Sequence, residues 1–233
     1  MPTANINFPV QGSQKVASLW NTDHSLADEG NYFIATNPVT GTGIATTTSV
    51  VDDAATASAT HAQNVPVMYI QNRSATDSIY LRYLRMIVTA APTSATEWNI
   101  SLRADNVARY TSGGSAITPV NINTGAGKAS AALIYFGAVV TTPLPSASAR
   151  LLGRAMVQSS IPVVKDQWIF TFGDTTMPTN VLTASAAKNI NIPMGPVVLG
   201  PNWNLAIGMW GAANAGAPAW EFELGYAERP SGL

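Results

Sequence analysis

Large apolar residues alternate with small or polar residues along much of the chain after residue 65, and this alternation restricts the possible folds more than any other feature. The clearest case is residues 219–226, where every second position is large and apolar: Trp220, Phe222, Leu224 and Tyr226. Because successive side chains of a β-strand point to opposite faces, the pattern predicts a strand with one buried face. Residues 203–210, 97–103 and 167–172 alternate in the same way.

Further strands are predicted where short apolar, β-branched or aromatic runs lie between turn-forming residues, at 67–71, 133–140, 151–157 and 190–198. The turn-forming clusters are rich in Gly, Pro and Ser and occupy residues 112–115, 124–127 and 143–146. Residues 79–89 fit both a helical stripe and a strand, and their aromatic and β-branched content leads us to predict a strand. Many short strands with regular turns predict an all-β protein, and we expect an antiparallel β-sandwich.

Residues 1–65 differ from the rest of the chain in composition. They are rich in Thr, Ala, Ser and Asn, contain only short apolar clusters such as Tyr32-Phe33-Ile34, and are nearly of low complexity at 46–60. Such a segment buries too little apolar area to offset the entropy lost on ordering. We therefore predict an extended N-terminal arm at 1–65, held by another surface, preferably that of a neighbouring subunit, and a β-sandwich domain at 66–233.

The low content of charged residues points to association. Only 11% of the residues are charged, whereas 46% are hydrophobic and the formal net charge is −1. Soluble domains carry about 25% charged residues, so much of this surface is uncharged. Such a surface gives little electrostatic repulsion between copies. We therefore expect contacts between subunits to cover it.

The sequence offers few groups for catalysis, cofactors or metals. It contains no cysteine, which excludes disulfides and thiolate zinc sites, and its two histidines, His24 and His61, lie in the N-terminal region. Residues 124–130 resemble a phosphate-binding loop only superficially, because Ile122 and Ala129 occupy positions that the motif reserves for other residues. We therefore predict no catalytic residue, no cofactor and no metal site.

Nucleic-acid and membrane partners are not expected. The 12 Lys and Arg residues are balanced by 13 Asp and Glu residues and form no basic run. The longest apolar stretch, at 131–140, is shorter than the roughly 20 residues that cross a bilayer. The first residues have neither the basic nor the apolar region of a secretory signal.

Glu221 and Glu223 form the best candidate for an enzymatic site. On a strand they share one face, with Cβ atoms about 7 Å apart, which approaches the separation of the carboxylates in glycosidases. The favoured alternative is that both acids lie on a solvent or interface face and meet cross-strand Arg residues.

Trp210 lies opposite the apolar face of its segment, where it is either an anchor for a subunit contact or a cover for one end of the sandwich.

The C-terminal region resembles a known family. Residues 205–211, a small-residue loop that ends at Ala217-Pro218-Ala219, and residues 220–229 together look like the closing β-hairpin of structural proteins in tailed bacteriophages. The resemblance implies a jelly-roll subunit, often trimeric, that decorates or cements the phage head. It also implies an N-terminal arm that embraces neighbouring capsid proteins.

These considerations lead us to expect a non-enzymatic structural protein of the virus particle, assembled in the host cytoplasm. The expected partners are copies of the chain itself, as a trimer, and the major capsid protein or other virion subunits. A carbohydrate- or receptor-binding β-sandwich of a tail fibre or spike is the first alternative, and a glycoside hydrolase using Glu221 and Glu223 is the second. The candidate interface residues are Tyr32, Phe33, Trp210, Glu221, Glu223 and Arg229.

Overall fold

The computed structural model describes eleven stretches of the chain: residues 6–7, 10–11, 14–15, 18–19, 22–46, 64–92, 97–142, 149–158, 162–173, 189–211 and 218–231. His61, most of the low-complexity segment at 46–60 and the turn predicted at 143–146 lie outside the described residues. Side chains are described from residue 23 onward, and that of Trp210 is not among them.

In chain order, the described elements are β1 (Ile6–Asn7), β2 (Val10–Gln11), β3 (Gln14–Lys15), β4 (Ser18–Leu19), α1 (Thr22–Asp28), β5 (Tyr32–Thr36), β6 (Ile44–Ala45), β7 (Met68–Asn72), β8 (Asp77–Ala90), β9 (Glu97–Asp105), β10 (Tyr110–Ile117), β11 (Val120–Asn121), β12 (Ala132–Thr141), β13 (Arg150–Gln158), β14 (Gln167–Phe172), β15 (Asn189–Met194), β16 (Val198–Leu199), β17 (Asn204–Gly211) and β18 (Ala219–Pro230). The strands predicted from alternation and the strand predicted at 79–89 are all present, with ends displaced by a few residues. The single strand predicted at 190–198 is instead two, β15 and β16.

Two sheets form the body of the protein. One has six strands in the order β10-β12-β7-β17-β9-β13, and the other has eight, six of them in the order β11-β5-β18-β8-β14-β15, with β16 beside β8 and β6 beside β18. The β14–β15 pair is parallel, whereas every other pair of described strands is antiparallel. The N-terminal strands pair separately, β1 with β4 and β2 with β3.

The order of the central strands is that of a jelly roll. Without the peripheral strands, the sheets reduce to β5-β18-β8-β14 and β7-β17-β9-β13. The chain changes sheet at each step from β5 through β7 and β8 to β9, and again from β13 through β14 and β17 to β18, which returns to lie beside β5. Two interlocked Greek keys of this kind define the fold. The predicted antiparallel, jelly-roll-like β-sandwich is therefore confirmed.

Aromatic side chains fill the space between the two sheets. Trp98, Trp168 and Trp220 are each no more than 1% exposed and pack against one another, with ring centroids 5.0 to 6.5 Å apart. Phe136 and Phe222 stack across the sandwich with centroids 4.1 Å apart. These residues are the inward members of their strands. Trp203, on the apolar face of the segment at 203–210, is only partly buried and packs against the edge of this core. Apolar surface buried in this way is the main favourable term in folding.

Part of the predicted arm belongs to the sandwich. Strand β5 lies between β11 and β18 in the eight-stranded sheet, and its Phe33 and Ala35 are fully buried. Phe33 stacks on Tyr226, with ring centroids 5.7 Å apart. Residues 22–46 therefore fold with the body, because this short apolar run completes a strand pair with the far end of the chain. Helix α1 also lies in this region and was not predicted.

The turn predicted at residues 112–115 is not present in the structure. These residues lie inside the edge strand β10, which pairs with β12 and shifts its register twice. Gly113 and Gly114 have φ values of 73° and 69°, which other residues rarely adopt. The two register shifts fall at Thr111 and at Gly114, so residues 112–115 belong to a bulged strand and not to a loop between two strands. The turn predicted at 124–127 is confirmed.

Candidate interaction surface

Strand β18 presents Glu221 and Glu223 on the outer face of the eight-stranded sheet, because the residues between and beside them are buried in the core. Glu223 lies directly opposite Arg85 of β8. Its Oε2 accepts a hydrogen bond from Arg85 Nη2 at 2.6 Å, and its Oε1 accepts one from the Tyr83 hydroxyl at 2.8 Å. The predicted meeting of a strand-face carboxylate with a cross-strand arginine is thus confirmed for Glu223.

The ring of Tyr83 covers Gly225, the next outward residue of β18. A Cβ atom at this glycine would lie 2.3 Å from Tyr83 Cε1 and 2.9 Å from the Tyr32 hydroxyl oxygen. Burial raises the pKa of Tyr83, and its hydrogen bond to Glu223 raises it further. Burial and the charge of Asp23 raise the pKa of Tyr32 to about 12. Both tyrosines are therefore neutral hydrogen-bonding groups at neutral pH.

Glu221 binds the backbone of a loop and forms no ion pair within the described residues. Its Oε1 accepts a hydrogen bond from the backbone N–H of Gly41, in the segment that links β5 to β6. Glu221 has no ion-pair partner within the described ranges. Together with Glu223 and Arg85 it lines a pocket of about 220 Å³ that also includes Thr36, Asn37 and Thr40. The charged groups of this pocket sum to one negative charge.

A larger depression with polar and apolar walls lies beside the same loop. We call it the Ile44 cleft; its volume is about 500 Å³, and its walls include Pro38, Val39, Ile44, Ala45, Gly114 and Ala138. It forms where the β5–β6 segment lies against β10 and β12 of the other sheet. A Cβ atom at Gly137 would lie 2.5 Å from Ile44 Cγ2, so the backbone approaches closely at this point. The walls of the cleft also include Thr42 and Ser115, so its lining is mixed, and Glu221 lines the neighbouring pocket instead.

The opposite end of β18 carries a basic pocket. Arg229 lines a pocket of about 200 Å³ with Tyr80, Arg82 and Leu26 of α1. Arg82 Nη2 lies 2.8 Å from Asp23 Oδ1, so one of the two arginines is neutralised within the chain. Eight residues separate Glu221 from Arg229, or roughly 26 Å along a strand. The structure therefore does not bring Arg229 together with the two glutamates.

Two of the predicted interface residues are enclosed by the chain itself. Phe33 is 0% exposed and Tyr32 is 6% exposed. The prediction that Phe33 contacts another subunit is wrong, because its ring is already packed on Tyr226 in the core. Tyr32 packs with Leu26 and Ala227 under α1 and leaves little surface for a partner. Trp210 lies in β17 opposite Asn99, and its proposed role as an anchor stays a prediction.

An exposed turn precedes β14 and is not predicted by the sequence pattern. Val163 and Val164 are 48% and 50% exposed, and Lys165 has a φ of 79°. Asp166 is 2% exposed, and its Oδ2 accepts a hydrogen bond from the Val163 N–H at 2.9 Å. We call residues 163–165 the Val-Val-Lys turn. A pair of valines before a strand looks like the start of that strand, and only the following Lys-Asp indicates a turn.

The segment that superficially resembles a phosphate loop has a structural role. Lys128 Nζ donates to Asn31 Oδ1 at 2.9 Å and to Asp77 Oδ2 at 3.1 Å. The nearby Glu228 is 1% exposed, and its Oε1 accepts hydrogen bonds from the Ser130 hydroxyl and the Ala131 N–H. These contacts fasten the segment to one end of the sandwich.

Neither metal ligands nor a membrane-spanning helix stand out in the part of the chain that the structure describes. No group of three or more His, Cys, Asp or Glu side chains there is placed to hold a metal ion. No helix in those residues is long and apolar enough to cross a bilayer.

The chain matches no protein-family model and no curated protein sequence. Its function is therefore inferred from the fold and from the surface chemistry described above.

Proposed function

We propose that this protein is a non-enzymatic structural component of a virus particle, a decoration or cement protein that stabilises the head through subunit contacts. The observation that carries the proposal is a jelly-roll body with a weakly charged, partly apolar surface. Ten large hydrophobic side chains of the described residues are 36% to 63% exposed, on a chain in which 11% of residues are charged. A surface of this kind is stabilised when protein covers it.

The distribution of charge supports the same conclusion. Several of the described charges are neutralised within the chain, as in the pairs Arg85–Glu223, Arg82–Asp23 and Arg109–Asp105. With a formal net charge of −1, the remaining charges of both signs give little overall repulsion between copies. Each Å² of apolar surface that a neighbouring subunit covers contributes about 25 cal/mol, less the entropy lost on association. Burial of area, not chemistry at a pocket, is the mechanism.

The proposed partners are copies of the chain, as a trimer, and the major capsid protein or another virion subunit. The proposed location is the virion, after assembly in the host cytoplasm. The sequence pattern of residues 205–229 supports this assignment, because it is similar to that of tailed-phage structural proteins. The β-hairpin expected there is not formed, since β17 and β18 lie in different sheets and pair with other strands. We propose that the residues before α1 contact the shell.

Mass spectrometry of purified particles tests the proposal. We expect the chain to be present at a fixed copy number per particle, in a multiple that matches the symmetry of the head. A purified chain that stays monomeric at high concentration and is absent from every assembled particle would overturn the proposal. The copy number also distinguishes a head protein, present in many copies, from a tail or fibre protein, present in few.

The described geometry favours neither alternative function. Both carboxylate oxygens of Glu223 are occupied by Tyr83 and Arg85, an arrangement typical of a sheet-face ion pair. A glycan groove needs exposed aromatic side chains along its walls. Among the three pockets described above, the Ile44 cleft has no aromatic wall, and the pocket of Glu221 has only the core residue Phe222. The pocket of Arg229 has a single aromatic wall, the ring of Tyr80.

A further inference from the structure

We propose that the pocket of Arg229 binds the carboxylate of an acidic side chain on a neighbouring protein subunit. The residues that line this pocket, which we call the Arg229 pocket, come from α1, β8 and β18: Leu26, Tyr80, Arg82, Ala227, Arg229 and Pro230. The inference rests on the proposed function, because it identifies one site through which a structural protein holds its neighbour.

A β-bulge brings a second arginine to the Arg229 pocket. The register of β8 with β18 shifts so that Arg82 has no partner residue in β18, whereas Leu81 and Tyr83 on either side of it both do. Arg82 and Tyr83 are successive residues, yet both are partly exposed, while the residues before and after this pair are buried. The bulge therefore directs both side chains to the outer face of the sheet. Bulges are common beside functional sites, where they redirect a side chain.

The charge of the Arg229 pocket is that of an anion site. Arg229 is partly buried, and its side chain forms no ion pair within the described ranges. Arg82 Nη2 lies 2.8 Å from Asp23 Oδ1, so Arg82 already binds one carboxylate. The pocket therefore holds one uncompensated guanidinium beside a neutralised one. A guanidinium offers five N–H donors in a planar fork, which matches the two oxygens of a carboxylate.

The other walls of the pocket favour a carboxylate carried on a short apolar stem. They are formed by the apolar residues Leu26, Ala227 and Pro230 and by the ring of Tyr80. These groups cover the methylene carbons of an aspartate or glutamate side chain while the guanidinium binds its oxygens. The volume of about 200 Å³ accommodates one such side chain. An inorganic anion would gain the charge contact without the apolar burial.

Hydrogen bonds fix the two sides of the pocket. The Asn31 N–H donates to the Leu26 carbonyl at 2.8 Å, and the Glu228 N–H donates to the Asn31 carbonyl at 2.9 Å. These bonds fasten the end of α1 to β18. Beyond β18, Ser231 donates both its N–H and its hydroxyl to the Thr76 carbonyl, which holds the end of the strand in place. A site that is already formed loses little entropy when a partner binds.

Binding of a model acidic side chain to the full chain tests the pocket. N-acetyl-L-glutamate α-amide carries this side chain without backbone charges, and N-acetyl-L-glutamine amide is its neutral counterpart. In an NMR titration we expect the glutamate probe to bind saturably and to shift the signals of Arg229 and Ala227. The glutamine probe should bind roughly fivefold more weakly, or less. Equal binding of the two probes, or no saturable binding, would overturn the proposal. Inorganic phosphate that binds as tightly as the glutamate probe would overturn the preference for an acidic side chain.

Substitutions at Arg229 locate the binding. Arg229→Gln removes the charge at similar length and should weaken binding of the glutamate probe roughly fivefold or more. Arg229→Lys keeps the charge but loses the planar fork, so we expect an intermediate affinity. Arg154→Gln is the matched control, because Arg154 is exposed in β13 of the other sheet, and it should bind the probe like the wild type. Thermal unfolding of each variant shows that the body remains folded. Wild-type binding by Arg229→Gln would contradict the assigned site.

The same variants connect the pocket to the particle. We expect the copy number of Arg229→Gln in purified particles to fall roughly fivefold or more, because a buried carboxylate would lose its partner, and that of Arg154→Gln to stay unchanged. Arg229→Gln at the wild-type copy number would show that the pocket does not hold a neighbouring subunit. A wild-type chain that binds the glutamate probe but is absent from every particle would instead overturn the proposed function and leave the carboxylate site in place.

Discussion

The two faces of strand β18 behave very differently, although their residues alternate along one stretch of chain. The inward residues Trp220, Phe222 and Leu224 are no more than 1% exposed and pack among aromatic rings of both sheets. The outward residues Glu221 and Glu223 bond to one loop and one neighbouring strand. The inner face therefore determines whether the chain folds. The outer face determines what the folded protein can contact.

The N-terminal region also contributes inward residues to the core, and removing them should have the largest effect on folding. Removing residues 1–46 deletes β5 and with it the inward Phe33, so Tyr226 loses its stacking partner and β18 loses a neighbour. We expect the shortened chain to show no cooperative unfolding transition, measured by circular dichroism in urea.

Deletion of residues 1–21 is the matched control, because it leaves α1 and β5 in place. We expect this variant to unfold cooperatively, near the midpoint of the full chain, and to lose only contacts made by the N-terminal strands. A deletion meant to test an arm must therefore end before residue 22. Cooperative unfolding of the 1–46 deletion at the wild-type midpoint would show that β5 is not part of the core.

A single inward side chain gives the next largest effect. Phe222→Ala removes a ring that stacks on Phe136 with centroids 4.1 Å apart. We expect the free energy of unfolding to fall by about 3–5 kcal/mol, from lost apolar burial and from the cavity left behind. Urea denaturation measures the change, and the outward Glu221→Ala should cost far less. Equal losses at the two positions would contradict the assignment of faces.

Sequence predicts the inner face well and the outer face poorly, for a physical reason. Alternation identifies Trp220, Phe222 and Leu224 as core because burial depends only on which side of the strand a residue occupies. Contacts on the outer face depend on the register between neighbouring strands. The register of β8 with β18 shifts between Gly225 and Tyr226. The sequence indicated that Glu223 meets an arginine. It did not indicate which one, since a shift of one residue changes every outward partner.

The same reasoning explains the elements that were misassigned. Glycine pairs are common in turns, so Gly113 and Gly114 predicted a turn, whereas the pairing of β10 with β12 extends through them with bulges. Residues 1–65 contain the core strand β5 as well as a low-complexity segment, so their overall composition hides the strand. A strand of five residues such as β5 is stabilised by its partner in the sheet, and its own sequence carries little signal.

A close contact on the outer face should give an intermediate effect. Gly225→Ala places a Cβ atom 2.3 Å from Tyr83 Cε1, so the tyrosine ring or the strand must move. We expect a loss of about 1–3 kcal/mol in the free energy of unfolding, as is typical of overpacking. Gly195→Ala is the control, because no atom lies within 4 Å of the added methyl group. If both variants are equally stable, Tyr83 does not lie over Gly225.

The smallest effect is expected for the outward ion pair itself. The side chains of Arg85 and Glu223 are 40% and 27% exposed, so water screens their attraction. Glu223→Gln keeps the shape of the side chain and removes its charge, and we expect a loss of about 0.2–1 kcal/mol in the free energy of unfolding. The loss should shrink in high salt, because screening weakens the pair in the wild type.

A double-mutant cycle with Arg85→Gln separates the pair from the other contacts of Glu223. The coupling should be smaller than the cost of Phe222→Ala by several-fold, since one face of the strand is in water and the other is in the core. A coupling as large as the core effect would mean that the outer face is buried in the measured state. The pair would then lie within a subunit contact, and its energy should depend on protein concentration.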